Sequence, residues 1–507
     1  MKKNKVFTGI LIAVFLLQLI AEGMAAFMIF RLNMLPTMYA AVLAGVFVFF
    51  ALLTGLLMFL HRKGRTPGLA RRIIALVLAI LTLFGSGLAF VVTGDIYKTM
   101  EGVTTPEVSK VTRSIYVRTE DPAQTLADTA DYTYAAVENY DTESTQQALK
   151  VIEAELSKTV DVKYFVTVPE MVDALYSGEV DAMILNSAYV LILEEMDGYA
   201  DFSQKARLLH DVPVAEWTPP TQETEPVETQ PVQVERNVTN TPFAVYISGS
   251  DTRSSYLPTN TRSDVNILAV VNPQTKQVLL LNTPRDYYVQ NPAGGGSRDK
   301  LTHCGIYGVD CSISALENLY GIKIDYNARI NFTGFETLID AIGGITVYTD
   351  TGFSTSGGTY VGAGENYLNG KEALAFARER YHVAGGDNGR GKNQMKVIEA
   401  VIKKLTSGTT IISNYSQILA SMQGMFATSM SMDDISSLVR MQLTDMARWD
   451  IHSFAVTGKT GSAVTYSMPG QNLSVMFVNE ELVAKAGGLI QKVMDGQILT
   501  AADLSGS

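Results

Sequence analysis

The chain is poor in the residues on which several common chemistries depend. Cysteine occurs only as Cys304 and Cys311. That excludes a cysteine-rich zinc module and a disulfide scaffold, both of which need more thiols. Histidine is confined to His61, His210, His303, His382 and His452, which are scattered and lack metal-ligand spacing. Neither an HExxH helix nor a GxSxG elbow is present, so the usual zinc-protease and serine-hydrolase signatures are missing. Basic residues are outnumbered, 40 against 51 acidic ones, and the net charge is −11. That balance argues against broad nucleic-acid binding, which needs a basic face. Gly458-Lys459-Thr460 resembles the end of a phosphate loop, but Ser453 stands where the first glycine is required.

Long apolar runs, by contrast, are plentiful at the N-terminus. Residues 6–30, 35–60 and 73–93 each match the roughly 20 helical residues needed to cross a hydrocarbon core. The first run is too long for a secretory signal and two more follow it, so it is read as retained. Lys2, Lys3 and Lys5 precede the first run, and His61, Arg62, Lys63, Arg65, Arg71 and Arg72 crowd the second connection. The first connection holds only Arg31. Positive residues favour the cytoplasmic side. A multi-pass membrane protein is therefore expected, with a cytoplasmic N-terminus and an extracellular remainder. Glu22, inside the first run, reads as a paired or protonated residue near the outer interface rather than as a relay.

Residues 1–95 thus form a membrane domain. Over 110–212, strand-like and helix-like stretches alternate. Stretches 114–119 and 162–168 are β-rich, and 144–158 carries Ala148, Val151, Ile152 and Leu156 on one helical face. Pro169 and Gly178 bracket a short helix, and 181–186 reads as a buried strand. A small α/β accessory domain is predicted, with no catalytic cluster, and a spacer or accessory role is favoured over ligand binding. Residues 213–242 are a linker in which Pro219, Pro220, Pro226 and Pro231 lie among Glu216, Glu223, Glu225, Glu228 and Glu235. Such composition stays extended and cannot bury a core. Residues 243–496 suit a second exterior α/β domain, with strands at 243–248, 265–271 and 277–283 and helices at 312–320, 334–342, 369–377 and 393–405. Residues 497–507 make a short tail, expected to be disordered.

The polar signals of the last domain fall at strand ends and loops, where open α/β sheets usually bind ligands. Asp251 and Arg253 follow its first strand, Arg262 and Asp264 precede the second, and Arg285 and Asp286 follow the third. Arg298, Asp299 and Lys300 lie in a glycine-rich loop, and Arg378, Arg380, Asp387, Arg390 and Gln394 come later. Arginine grips phosphate oxygens with two parallel hydrogen bonds. Carboxylates are hard ligands for magnesium, which takes few protein ligands and completes its shell with substrate phosphates. The alternative for any one pair is a surface salt bridge worth at most about 1 kcal/mol. Arg378 and Arg380 would point about 200° apart on a helix but share a face on extended chain. Their convergence on one diphosphate requires the helix to end near Ala377.

At these residues the sequence resembles the LytR–CpsA–Psr family. The matching segments are Gly249 to Arg253, Thr261 to Asp264, Val271 to Pro273, and Thr283 to Asp286. Asp299-Lys300, Asn331-Phe332 with Gly334-Phe335, Ile342 to Gly344, and Asn369-Gly370 through Arg378 and Arg380 to Gly389-Arg390 and Gln394 follow in family order. Three spans plus an accessory domain resemble the capsule-associated branch. The resemblance implies a C-terminal α/β domain with a central mixed sheet flanked by helices. It implies a phosphotransferase moving teichoic acid, capsular polysaccharide or a related glycopolymer from undecaprenyl diphosphate to peptidoglycan, with magnesium or manganese. By the same analogy Asp251 and Asp264 hold the metal, while Arg262, Arg285, Lys300, Arg378, Arg380, Arg390 and Gln394 bind the diphosphate. Arg285, Arg378 and Arg380 are placed in catalysis, and Asp387 is the candidate base. Expected partners are the lipid-linked glycan, peptidoglycan, the membrane and, through the accessory domain, capsule or wall-assembly proteins, but not nucleic acid. Asn393 stands where many members carry arginine or another polar residue. Two other classes stay open: a non-catalytic polymer-binding or regulatory membrane protein, and a hydrolase that only cuts the lipid diphosphate. Cys304 and Cys311 would lie about 10 Å apart on one unbroken helix. Gly305 and Gly308 allow a loop between them, and an extracellular disulfide is expected.

Overall fold

In the computed structural model the described residues are 2–60, 68–104, 111–138, 140–215, 218–219, 237–252, 256–258, 260–407, 417–418, 421 and 423–505. Residues 216–217 and 220–236 of the predicted linker lie outside them. The three apolar runs are helices α1 (Lys2–Leu32), α2 (Thr37–Phe59) and α3 (Leu69–Thr104), each long and apolar enough to cross a membrane. Glu22 is buried and accepts from Gln18 Nε2 at 2.8 Å, which satisfies one carboxylate oxygen inside the bundle. At 36 residues α3 is about 54 Å long, far more than a ~30 Å hydrocarbon core requires. Its last turns accordingly leave the bundle. Met100 packs with Leu32, Met34, Met432, Ile435 and Val439, and Val103 is buried among Ile339, Phe376 and Ile418 of the C-terminal unit.

The accessory unit runs β1 (Val111–Arg118), β2 (Thr133–Val137), α4 (Thr142–Leu156), β3 (Asp161–Phe165), α5 (Val168–Ser177), β4 (Ala182–Leu185), α6 (Val190–Glu194), α7 (Phe202–Lys205) and β5 (Ala206–Val214). The sheet order is β3-β2-β4-β1-β5, parallel through β3, β2 and β4 and antiparallel at β1 and β5. Pro169 sits in the first turn of α5, Thr167 and Glu170 close a capping box, and Gly178 ends the helix at φ 77°. These are the start and stop signals read from the sequence.

The C-terminal unit opens with β6 (Phe243–Ser250), β7 (Ser263–Asn272) and β8 (Gln277–Asn282). A small ribbon follows, β9 (Tyr288–Gln290) and β10 (Arg298–Lys300), then α8 (Leu301–Cys304), α9 (Val309–Tyr320), β11 (Tyr326–Asn331), α10 (Phe332–Ala341), α11 (Gly370–Arg378) and α12 (Asp387–Thr406). The central sheet is mixed, in the order Phe426–Thr428, β11, β6, β7, β8, Asp450–Ala455. β11 runs parallel to β6, the Asp450–Ala455 strand runs parallel to β8, and β7 is antiparallel to both β6 and β8. One face of the sheet is covered by α9 and helix Glu480–Met494, the other by α12.

Three expectations need correction. α12 starts at Asp387 rather than near residue 393. Its first turns hold Gly389 and Gly391, poor helix formers, but a side chain at Gly391 would meet Asn282 Nδ2 at 2.3 Å, so glycine is what lets the helix approach β8. The tail is not loose: Leu499 is buried, its N–H donates to Gln277 Oε1 at 2.9 Å, and Thr500 and Asp503 cap a last short helix, Ala501–Leu504. Cys304 and Cys311 are free, buried thiols rather than a disulfide. Cys311 Sγ turns to Asn291 Oδ1 at 3.3 Å, and the neighbouring Cys311 thiol, then burial, push the Cys304 thiol well above its ordinary value.

The accessory and C-terminal units also share a core. Tyr140, Tyr189, Ile192 and Leu193 of the accessory unit pack with Ile306, Tyr307, Met468 and Met476. Asn186 Nδ2 donates to the Ile306 carbonyl at 3.0 Å, and the Tyr189 and Tyr307 hydroxyls lie 3.1 Å apart. The unit expected to have a spacer or accessory role is thereby fixed against the C-terminal unit at the turn after α8.

Candidate functional site

The sheet brings the predicted residues to one end. β6 and β11 are parallel, so Ser250 and Asn331 end side by side, and the start of antiparallel β7 returns to the same place with Ser263 opposite Ser250. The end of β8 lies beside β7 as well, with Asn282 opposite Ile267. Asp251, Arg262, Asp264 and Arg285 leave these strand ends together. α11 contributes Arg378 in its last turn. Glu379 at its C-cap is extended, so the helix stops where the alternating arginines required it to stop.

Arg285 is the centre of the cluster. It donates from NH1 to Asp264 Oδ1 at 2.8 Å, with both side chains largely buried. Burial alone would raise the Asp264 carboxyl, but Arg285 and then Arg262 outweigh it and hold Asp264 below the usual carboxylate range. Asp251 moves the other way, raised by burial and then by the facing Asp264 carboxylate, against the pull of Arg378. Arg378 NH2 lies 3.7 Å from Asp251 Oδ1, with its guanidinium 4.4 Å above the Phe332 ring. Lys300 Nζ lies 3.1 Å from Asp286 Oδ1.

A cavity of about 150 Å³ opens onto this cluster, lined by Arg262, Arg285, Asp286, Lys300, Thr302 and His303. Its remaining wall includes Ile192, Glu195 and Met196 of the accessory unit. Glu195 Oε2 accepts from Arg262 NH1 at 2.7 Å, although the residues are 67 positions apart. The Arg262 side chain is 6% exposed, and its Nε–H has no partner among the described residues. The Arg285 Nε–H is likewise unpartnered, with Asp286 Oδ2 at 4.0 Å too far to accept. Two buried guanidinium donors therefore await an acceptor, and a buried unsatisfied donor is costly unless a ligand fills it.

The other predicted residues sit around this centre. Asp387 pairs with Arg390 one turn along α12, and neither lines the cavity. Arg390 still acts on Asp264 through space. Gln394 is buried on the same helix. Arg380 is turned onto Tyr381, stacked on its ring and donating to its hydroxyl, and is not brought into the ion pairs around Asp251 and Asp264. Asn393 Nδ2 donates to the Phe376 carbonyl at 3.3 Å, so it ties α12 to α11. Arg253 lies outside the described residues. Sequence reasoning missed Glu195, because nothing local marks an accessory-domain carboxylate for a distant arginine. It also passed over His303, whose one signal was its place four residues after Asp299.

The sequence model of the LytR_cpsA_psr family matches residues 214–483. The chain belongs to the LytR_cpsA_psr family. An Enterococcus faecalis protein named polyisoprenyl-teichoic acid–peptidoglycan teichoic acid transferase TagU is 37% identical over 198 residues, covering 39% of this chain and 64% of that protein. A Bacillus licheniformis protein of the same name is 33% identical over 213 residues, covering 42% of this chain and 63% of that protein. The chain thus spans just under two thirds of the length of these relatives. Among solved structures, B. subtilis TagV is 26% identical with a TM-score of 0.42, covering 50% of this chain and 98% of that one. A structure titled TagT bound to LIIa-WTA is 26% identical with the same TM-score, covering 52% and 94%.

Proposed function

We propose that the protein is a phosphotransferase that moves a glycopolymer of the teichoic-acid or capsular type from an undecaprenyl-diphosphate carrier to peptidoglycan, on the outer face of the cell membrane. The observation that carries this reading is the pair of buried, unpartnered guanidinium donors of Arg262 and Arg285 at a cavity shared with Lys300. Guanidinium N–H donors held at strand ends suit the oxygens of a diphosphate. The names of the relatives, transferases of polyisoprenyl-linked teichoic acid to peptidoglycan, point the same way. The basic flanks of α1 and of the second connection support an outward-facing site. A docking role for the accessory unit towards wall-assembly proteins belongs to the same reading, and Tyr164 and Val166 at the end of its edge strand are exposed.

In the transfer, an acceptor hydroxyl attacks the phosphorus that carries the polymer, the anhydride P–O bond breaks, and undecaprenyl phosphate leaves with the electron pair. Such a reaction asks for positioning and charge stabilisation rather than a covalent nucleophile. Arg262 and Arg285 would hold the diphosphate oxygens from the cavity side, Lys300 would neutralise the leaving phosphate, and Arg378 would close the opposite side. The buried cations are already matched by Asp264, Asp286 and Glu195, so an incoming diphosphate brings excess negative charge. Asp251 and Asp264 fit a magnesium or manganese ion in the chemistry of their donors, because they are two hard, mutually repelling carboxylates of the kind such an ion would bridge to substrate oxygens. When bound, such an ion supplies the missing positive charge at the diphosphate.

The full chain in lipid nanodiscs, given magnesium, a polyprenyl-diphosphate oligosaccharide and a peptidoglycan fragment, should yield a fragment bearing sugar phosphate by mass spectrometry. Arg285→Ala should abolish the product. Cleaved lipid without linked product would favour the hydrolase, and intact bound lipid with no turnover would favour the binding protein.

A further inference from the structure

The transfer needs a base for the acceptor hydroxyl. Asp387 is tied to Arg390 and does not line the cavity. His303 does line it. Its ring is held from behind by Asp299, a fully buried carboxylate in the middle of β10. Asp299 accepts from the Lys300 N–H at 2.7 Å, from the Ser467 N–H at 2.9 Å and from Asn291 Nδ2 at 3.3 Å. A carboxylate fixed by that many donors stays in place. His303 Nδ1 lies 2.8 Å from Asp299 Oδ1 and 2.7 Å from Ser467 Oγ. The carboxylate can only accept, so the proton sits on Nδ1, and Nε2 is left as a bare lone pair. Among the described residues Nε2 has no hydrogen-bond partner. The protein thus spends one buried carboxylate on fixing the tautomer of a histidine that borders the diphosphate cavity.

We propose that His303 is the general base of the transfer, with Asp299 and Ser467 as positioning residues; this rests on the transferase reading above. Nε2 takes the proton of the acceptor hydroxyl as its oxygen bonds to phosphorus and the anhydride P–O bond breaks. The electron pair departs with the lipid phosphate, and the imidazolium returns its proton to that phosphate or to water. Asp299 stabilises the imidazolium as it forms. Arg262, Arg285, Lys300, Asp286 and Glu195 line the same cavity and surround the site of proton transfer.

The test uses the full chain in nanodiscs with magnesium, the polyprenyl-diphosphate oligosaccharide and the peptidoglycan fragment. His303→Gln should lower kcat roughly 100-fold or more while leaving the donor KM within about threefold, as expected for loss of a general base. The acidic limb of the wild-type rate profile should flatten in the variant, and added imidazole should partly restore His303→Ala. Ser467→Ala should give a smaller fall in kcat with the limb retained. A measurement independent of folding is carbethoxylation of the wild type by diethyl pyrocarbonate, mapped by mass spectrometry. His303 should react, and the donor lipid should protect it. If His303→Gln turns over within threefold of wild type with the same profile, or if His303 resists the reagent while exposed His382 reacts, the base assignment is wrong and the transferase reading stands. A wild type that transfers nothing overturns both.

Discussion

Removing Arg285 isolates a buried carboxylate. In Arg285→Ala, Asp264 loses the partner at 2.8 Å, in a place where the two side chains are 14% and 11% exposed. Breaking a buried pair from one side costs about 3–5 kcal/mol, because the remaining charge is left without its partner. Asp264 keeps the Thr302 hydroxyl at 3.3 Å and the field of Arg262, so the lower end, about 3 kcal/mol, is expected. For a unit of this size that corresponds to a melting temperature lower by about 6–12 °C. Thermal unfolding of the detergent-solubilised chain, followed by the fluorescence of Trp449 in the C-terminal unit, measures it. The double variant Arg285→Ala with Asp264→Asn should recover part of the loss, since the unpaired charge is gone. The pH dependence supplies a second check. Asp264 is held below its ordinary value when folded, so its contribution is fully present above the unfolded value and is lost as pH falls through the folded one. The gap between wild type and Arg285→Ala should be full at neutral pH and narrow below about pH 4. Losses that add within about 0.5 kcal/mol in the double variant would refute the coupling.

Other perturbations reach other parts of the argument. Glu195→Ala frees Arg262 from a carboxylate that is 57% exposed, so the donor KM should fall by no more than about fivefold, with kcat little changed; a raised KM would mean that Glu195 helps to build the site. Gly370→Ala places a methyl group 2.1 Å from the Glu336 carbonyl oxygen, forcing α11 off α10 at a cost of about 1–3 kcal/mol and misplacing Arg378; a wild-type melting point would contradict the close approach. Burial would raise the Glu379 carboxyl, but N–H donors from Ser356, His382 and Tyr381 hold it down to about 2. Its contribution is present above the unfolded value and disappears as pH falls through the folded one, so the stability gap between wild type and Glu379→Gln should close on acidification below about pH 4. Melting curves of both proteins across that range provide the measurement.

Much of the architecture was legible because it is written in short-range chemistry. Apolar run length marked α1, α2 and α3. The proline and glycine bracketing α5 and the β-rich runs of β6, β7 and β8 needed only neighbouring residues to be read. The two-residue spacing of Arg378 and Arg380 even required the helix end that α11 shows, although only Arg378 then turns to Asp251. The start of α12 was hidden because its glycines are poor helix formers on their own and become favourable only where the helix meets Asn282.

The sequence by itself determined the three apolar helices, the first three strands of the central sheet with several of its helices, and where arginines and aspartates recur at strand ends. It determined them because periodicity, capping and turn chemistry act over a few residues. Tertiary structure alone decided which of those charges meet. It paired Arg262 with Glu195 across 67 positions, brought Ser467 to His303 across 164, and seated Val103 of the membrane helix in the core of the C-terminal unit. No local preference encodes such contacts. They arise when two apolar faces find each other and carry their polar neighbours into a common buried space, where each charge must be answered or left for a ligand.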